Sequence, residues 1–357
     1  MKIGFVLPGV SQLPCGGFKV VFEYANFLAA HGHEVTIYFD CSNRLLRFHL
    51  PESLRRLGTR YLVYKYPTWF ALNPHIRKVS ISSISDEMIC DGDAIVATAV
   101  GTARPVAELS LSKGDKYYLI QDYENWEVSD EVVNATYCLG MKNIVVSKWL
   151  EDIVRQHAPE PPVLISNSIN GDVFNVRIPL TNREPKSLIF HWRKEKHKGG
   201  IYALELIEKL HRLYPDFRFT AVSNQTKPEN FPNYINYVHN ATPNEVAELN
   251  NQHALFVCTS VAEGFGLPGL EGMACGCTLV SFGYQGVFDY AVDGENALIS
   301  PVEDVNAMLS NVKRLIADDS LRIRLAQNGY QYAMKRTLSV TGKQLENLIL
   351  SVKRHQV

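Results

Sequence analysis

Short apolar runs alternate with helix-length amphipathic segments along this chain, and that alternation limits its fold more than any other feature. Lys2 to Leu7 reads as a strand, followed by a turn containing Gly16-Gly17. Phe18 to Ala30 then places Val21, Tyr24, Ala25 and Leu28 at helical spacing, and Gly32 ends that helix. Glu34 to Phe39, Ala94 to Ala99, Tyr117 to Gln121, Asn143 to Ser147 and Val163 to Ser166 continue the strand series. The pattern weakens over the polar stretch from Gly171 to Pro185, which reads as a linker. It restarts at Ser187 to His191, Arg218 to Val222, Tyr234 to Val238, Ala254 to Thr259 and Thr278 to Phe282, with helices expected at Gly200 to Leu213 and Asn244 to Asn251. Strand and helix in steady succession build a parallel sheet covered by helices. Two such series predict two doubly wound α/β domains, residues 1–171 and 172–357. Asp304 to Ala317 and Leu321 to Lys335 read as the last helices of the second. The C-terminal segment from Ser339 to Lys353 could pack back on the first.

Composition excludes several classes. With 46% hydrophobic and 20% charged residues the chain is that of a soluble globular protein, and a net charge of -1 argues against a nucleic-acid binder. No apolar run approaches bilayer-spanning length, and the N-terminal apolar stretch is too short for a signal peptide. The seven cysteines are scattered, and the one close pair, Cys275 and Cys277, lacks a second pair at zinc spacing. A cytoplasmic protein with reduced thiols and no bound metal is expected.

The stretch "VAEGFGLPGLEGMACG", Val261 to Gly276, carries the chemistry. It follows a strand, so it sits at the carboxyl end of a parallel sheet, where ligands bind in open α/β folds. Pro268 suits the first turn of a helix and Gly276 its end. The amides of Gly266 and Leu267, with the helix dipole, would face an anion, and glycines would let backbone and ligand approach closely. Glu271, one turn into the helix, and Glu263, in the loop, could reach the same ligand. An anion cradle flanked by two acceptor-only carboxylates suits a molecule with phosphates and hydroxyls, a sugar nucleotide.

Here the sequence resembles the retaining glycosyltransferases of the GT-B fold, family four. The match rests on Glu263-Gly264-Phe265-Gly266-Leu267-Pro268-Gly269-Leu270-Glu271 and continues through "GMACGCTLVSF" and "GVFDYAVDGENALISPVED". The resemblance implies two Rossmann-like domains facing across a cleft. It also implies transfer of a sugar from a nucleoside diphosphate (dTDP-, UDP- or GDP-linked) to a glycan or lipid-linked acceptor hydroxyl with retention. That activity belongs to cell-surface polysaccharide or glycolipid synthesis and needs no cofactor or metal. By the same resemblance, Glu263 would bind donor-sugar hydroxyls and Glu271 the ribose. The Gly264-Phe265-Gly266-Leu267 turn would hold the pyrophosphate, Arg193 and Lys198 in "FHWRKEKHKGG" would neutralise it, and Gly16 and Gly17 would close on the phosphates. Trp192 departs from the family, which often has Gly before the Arg. Gln121-Asp122 stands where many members have a His, making Asp122 and Glu124 candidates for the acceptor hydroxyl.

Other features carry competing readings. Asp91-Gly92-Asp93 spells a metal-binding Asp-x-Asp but precedes an apolar strand as a turn would, and Gly16-Gly17 with Asp40 is a poor dinucleotide fingerprint. Arg44 to Lys65 holds Arg44, Arg47, Arg55, Arg56, Arg60 and Lys65 against one acid, Glu52. With leucines interleaved it is either a solvated helix face or a segment lying on an anionic membrane surface, peripheral on the inner face. Two rivals to a transferase remain: a sugar-nucleotide epimerase of the same fold, and a catalytically silent binding subunit.

Overall fold

Continuous apolar runs such as AIVA at 94–97 and LFVC at 255–258 have no polar face to offer solvent, so they become central strands buried on both sides. The computed structural model describes residues 1–42, 51–126 and 128–353. They form two compact units, Met1–Ser166 with Leu338–Val357, and Asn167–Thr337. The sequence pattern had put the boundary after residue 171. Ile169, however, is already bridged to Thr337 and donates its N–H to the Arg336 carbonyl at 2.9 Å, within the second unit.

In the first unit the strands are β1 (Lys2–Leu7), β2 (Glu34–Asp40), β3 (Arg77–Ile81), β4 (Ala94–Ala97), β5 (Asp115–Ile120), β6 (Lys142–Val145) and β7 (Val163–Leu164). Helices α1 (Gly16–Ala30), α2 (Glu52–Lys65), α3 (Val100–Ala107), α4 (Asp130–Thr136) and α5 (Lys148–His157) connect them. The sheet is parallel, in the order β3-β2-β1-β4-β5-β6-β7.

The second unit holds β8 (Ser187–His191), α6 (Gly200–Leu213), β9 (Arg218–Ser223), β10 (Ile235–His239), α7 (Pro243–Asn251), β11 (Leu255–Cys258), α8 (Leu267–Ala274), β12 (Thr278–Phe282), β13 (Ala297–Ser300), α9 (Val305–Ala317) and α10 (Asp319–Met334). Its parallel order is β10-β9-β8-β11-β12-β13. Both sheets therefore reverse beside their first strand, which opens a crevice at the carboxyl ends of β1 and β4 and of β8 and β11. Two doubly wound Rossmann-like α/β units make this the GT-B fold.

The last helix, α11 (Leu338–Lys353), returns to the first unit and crosses α1 closely. A Cβ on Gly342 would lie 2.6 Å from the Phe27 ring, and Glu346 of α11 pairs with His33 Nε2 at 3.0 Å.

The stretch 171–185 is not the free linker its polarity suggests. Arg183 is only 4% exposed, and its guanidinium donates to the carbonyls of Ile178, Asn250, His253 and Cys275 and to Asn251 Oδ1. Asn250 lies near the end of α7 and Cys275 just past α8. One planar cation thus satisfies the orphan carbonyls of two helix ends.

His253 beside it is buried, with Nδ1 2.7 Å from the Leu249 carbonyl. Burial pushes its pKa down to about 4, and the positive charges of Arg218 and Arg183 add to this. The group is neutral when folded, so acid favours the unfolded chain, where the imidazole charges first. Its stabilising share is whole above pH 6.5 and drains away between about 6.5 and 4, a loss on the order of 3 kcal/mol. Urea unfolding at pH 7.5 and 4.5 should show a smaller pH-dependent loss in His253→Gln than in the parent; equal losses would exclude His253 as the source.

Candidate functional site

The site is assembled where β8 and β11 end. Beyond His191 the chain adds Trp192, whose N–H still bonds the Val222 carbonyl at 2.9 Å. Its indole is buried edge-on against Phe231 and Tyr237. The unexpected Trp192 is therefore a core residue. Its packing turns the next side chain, Arg193, toward the surface, where Nη1 donates to the Trp192 carbonyl at 3.0 Å and to Ser223 Oγ at 3.3 Å.

A 3-10 turn, Lys196–Lys198, follows and leads through Gly199 and Gly200 into α6. Both glycines are required. Gly199 has φ +64 and would place a Cβ 1.7 Å from the Thr259 carbonyl; one on Gly200 would meet the Arg193 carbonyl at 2.2 Å. This close approach lets Thr259 Oγ1 donate to the Gly199 carbonyl at 2.9 Å, while Val261 N–H donates to that of His197 at 2.8 Å. The loops after β8 and β11 are thereby sewn together. As a result Lys198 Nζ lies 3.5 Å from Glu263 Oε1, which also accepts the Ser260 hydroxyl. Arg193 and Lys198 are half-buried, whereas Lys194 and Lys196 are exposed.

The turn 264–266 delivers α8, capped by Gly266 at φ +91. Gly266 in this turn and Gly269 just beyond it are also demanded by the protein's own packing. A Cβ on Gly266 would sit 2.0 Å from the Tyr284 hydroxyl, and one on Gly269 2.4 Å from that of Tyr290. Phe265 is buried and tilted against Tyr290 at 5.2 Å, leaving only its backbone for a ligand. Glu271, 7% exposed, lies one turn into α8. Lys198 and Glu263 are thus in contact, and Arg193, the 264–267 turn and Glu271 follow the carboxyl ends of the same two neighbouring strands, β8 and β11.

Tyr284 and Tyr290 had no local signal in the sequence, where buried aromatics look alike. Each is fully buried, their hydroxyls lie 2.8 Å apart, and Tyr290 donates to the Gly266 carbonyl at 2.9 Å. Burial pushes both phenols well above their usual range, so they stay protonated donors.

The remaining candidates belong to the first unit. Gly16 and Gly17 open α1, whose first turn carries no acid. A Cβ on Gly17 would make only ordinary contact with Gln121, whose Nε2 donates to the Gly17 carbonyl at 3.2 Å, so the surrounding protein does not demand glycine there. Asp122 Oδ1 accepts the Tyr123 N–H at 2.9 Å, and Glu124 Oε2 accepts that of Val100 at 2.8 Å, at the start of α3. Asp91 and Asp93 precede β4, at the opposite end of the sheet from these glycines. Lys113, at 2.8 Å, and the Ser112 hydroxyl hold the Asp91 carboxyl below its usual range, and Asp93 accepts the Lys2 N–H. No group of three or more His, Cys, Asp or Glu suited to a metal ion occurs among the described residues.

Arg44 and Arg47 lie outside the described residues. From Glu52 the basic segment is α2, which buries Thr59 and Val63 and leaves Leu54, Leu57, Tyr61 and Tyr64 exposed along one stripe. Among the described residues no helix is long and apolar enough to cross a membrane.

Residues 174–332 match the family model described as glycosyl transferases group 1. An uncharacterised glycosyltransferase of Methanocaldococcus jannaschii is 25% identical over 54% of this chain, and the match spans about half, 55%, of that relative. Sucrose-phosphate synthase from Thermosynechococcus elongatus is similar in structure with a TM-score of 0.76, 15% identity and 99% coverage of both chains. Anabaena HepE in complex with UDP and glucose aligns with a TM-score of 0.73, 16% identity, 98% of this chain and 100% of that one.

Proposed function

We propose that this chain is a retaining glycosyltransferase that moves a hexosyl or deoxyhexosyl group from a nucleoside diphosphate to an acceptor hydroxyl. The observation that carries the reading is Glu263 and Glu271 on either side of the amide end of α8, with Lys198 3.5 Å from Glu263 at the crevice beside β8 and β11. In this reading Glu263 binds donor-sugar hydroxyls and Glu271 the ribose. The amides of Gly266 and Leu267 take the pyrophosphate, and Arg193 and Lys198 meet the charge that grows on the leaving diphosphate. Lys198 contacts Glu263 directly, so one ammonium couples sugar recognition to phosphate neutralisation. The leaving phosphate accepts the acceptor proton on the same face, which requires no enzyme nucleophile. A bound UDP in a neighbour of the same fold supports a nucleotide-sugar donor, UDP-, GDP- or dTDP-linked. The matched family supports the transfer, to a glycan or lipid-linked acceptor in cell-surface polysaccharide or glycolipid synthesis.

The test divides the two glutamates. Glu263→Gln should suppress transfer while keeping nucleoside diphosphate affinity, since the diphosphate has no sugar; Glu271→Ala should weaken both. Equal loss of diphosphate affinity in the two variants would remove this assignment. The same assay run in excess EDTA should retain activity, because the phosphate charge is met by side chains. Loss restored by magnesium would bring Asp91 and Asp93 back as ligands.

The α2 stripe supports a further part of the reading, attachment to an anionic membrane surface. Leu54, Leu57, Tyr61 and Tyr64 are spaced three, four and three apart, flanked by Arg55, Arg56, Arg60 and Lys65 against Glu52 alone. Sedimentation with phosphatidylglycerol vesicles should fall with salt and fall again in the triple variant Arg55→Gln, Arg56→Gln, Arg60→Gln, each charge contributing about 1 kcal/mol. Binding indifferent to the triple change would leave α2 a solvated helix.

A further inference from the structure

Three buried side chains behind the glycine turn form a directed chain of donors. Tyr290 has one hydroxyl proton, and it goes to the Gly266 carbonyl at 2.9 Å. Of the two tyrosines, Tyr284 must then donate across their 2.8 Å contact, and it receives the Cys258 thiol at 3.8 Å in turn. All three groups are buried, and burial raises the Cys258 thiol as it does the two phenols, so every proton in the chain stays in place.

What the chain holds is the direction of a peptide plane. In a trans peptide the carbonyl of one residue and the N–H of the next point opposite ways. The Gly266 carbonyl is drawn inward twice, by Tyr290 and by the Gly269 N–H at 3.1 Å. The Leu267 N–H on the same plane therefore points out of the open end of α8. The space needed for this exists only because two side chains are missing, at Gly266 before the Tyr284 hydroxyl and at Gly269 before that of Tyr290. Gly266 sits in left-handed backbone, φ +91 and ψ +53, at the frayed first turn of α8, so the Tyr290 bond adds to the single helical bond from Gly269 in holding this peptide.

We propose that Tyr290, backed by Tyr284, is a positioning residue that aims the Leu267 amide at the diphosphate of the donor. This rests on the proposed sugar-nucleotide site, and it extends that site to two side chains that never touch the ligand. Arg193 and Lys198 supply charge, whereas Tyr290 supplies direction. Preorganised donors lose their advantage when they must reorient on binding, so removing the hydroxyl should tax the phosphate and spare the nucleoside.

The experiment compares the parent with Tyr290→Phe and Tyr284→Phe. UDP, GDP and dTDP are titrated by calorimetry, and the nucleoside matching whichever diphosphate binds is measured by ligand-observed NMR. Tyr290→Phe should weaken diphosphate binding about tenfold, the scale of one lost hydrogen bond, with nucleoside affinity unchanged within twofold. Tyr284→Phe should show the same pattern at smaller size, because it acts one bond further back. Equal weakening of nucleoside and diphosphate would reduce the tyrosines to packing and overturn the inference, as would unchanged diphosphate binding in Tyr290→Phe. If the parent bound none of the three diphosphates, the sugar-nucleotide reading itself would fall and take the inference with it, an outcome distinct from the other two.

Discussion

Arg183→Met is expected to destabilise the second unit by about 3–5 kcal/mol, the scale of breaking a buried, hydrogen-bonded charged group. Arg183 has no carboxylate among its hydrogen-bond partners; it is held by four carbonyls and one amide oxygen contributed by three separate segments. Two opposing terms decide the sign. Burying a guanidinium costs several kcal/mol, which the folded chain recovers only through those bonds. Methionine removes the cost, but it strands carbonyls at the ends of α7 and α8, each about 1–3 kcal/mol when left unsatisfied. With this many acceptors the second term wins. Arg183→Lys should rescue only in part, since an ammonium cannot fork toward three segments. Urea unfolding followed by fluorescence, with Trp69, Trp126 and Trp149 of the first unit changed to Phe in parent and variant alike so that Trp192 alone reports, measures the change, and a neutral or stabilising Arg183→Met would mean that the desolvation cost dominates instead.

The second large effect is catalytic. Arg193→Ala and Lys198→Ala are each expected to lower turnover tenfold to a hundredfold, about 1.5–3 kcal/mol for a lost charge-assisted hydrogen bond, and to lower donor affinity less. The asymmetry follows if the two cations meet charge that appears only as the diphosphate departs. Lys194→Ala and Lys196→Ala serve as controls, expected to be mild because both side chains are exposed. Crippled controls beside an active Arg193→Ala would require the phosphate site to be rebuilt around the other lysines. Arg193→Lys separates fork from charge, since the guanidinium already uses Nη1 on Ser223 and Trp192.

What could be read in advance was set by how local each signal is. Strands β8 and β12 and helix α6 match the sequence pattern residue for residue, because uninterrupted apolar runs and a clean helical period leave little choice. The edge strand β3, RKVSI, was missed: its charged start is tolerable only where one side of the sheet faces solvent. The four-residue β13 was missed because ALIS is too short to show a period. At the candidate site, the placement of Glu263 and Glu271 on either side of the turn from β11 into α8 was legible from their spacing. The packing that demands Gly266 and Gly269 was not, since it depends on two tyrosines that arrive from a later loop. Arg183 was illegible for the same reason. Like Arg177 in the same polar stretch, Arg183 looks solvated until the ends of α7 and α8 surround it.

The path of α11 also decides which unit depends on the whole chain. The second unit is one unbroken stretch, Asn167–Thr337, whereas the first needs residues on either side of it. A chain cut after Thr337 would keep every residue of the second unit and deprive the first of α11. Without α11, α1 lacks the neighbour that packs Gly342 against Phe27, and His33 lacks Glu346. Such a chain would carry a complete second unit beside an amino-terminal half missing a wall, and a protease would meet that half as the weaker one.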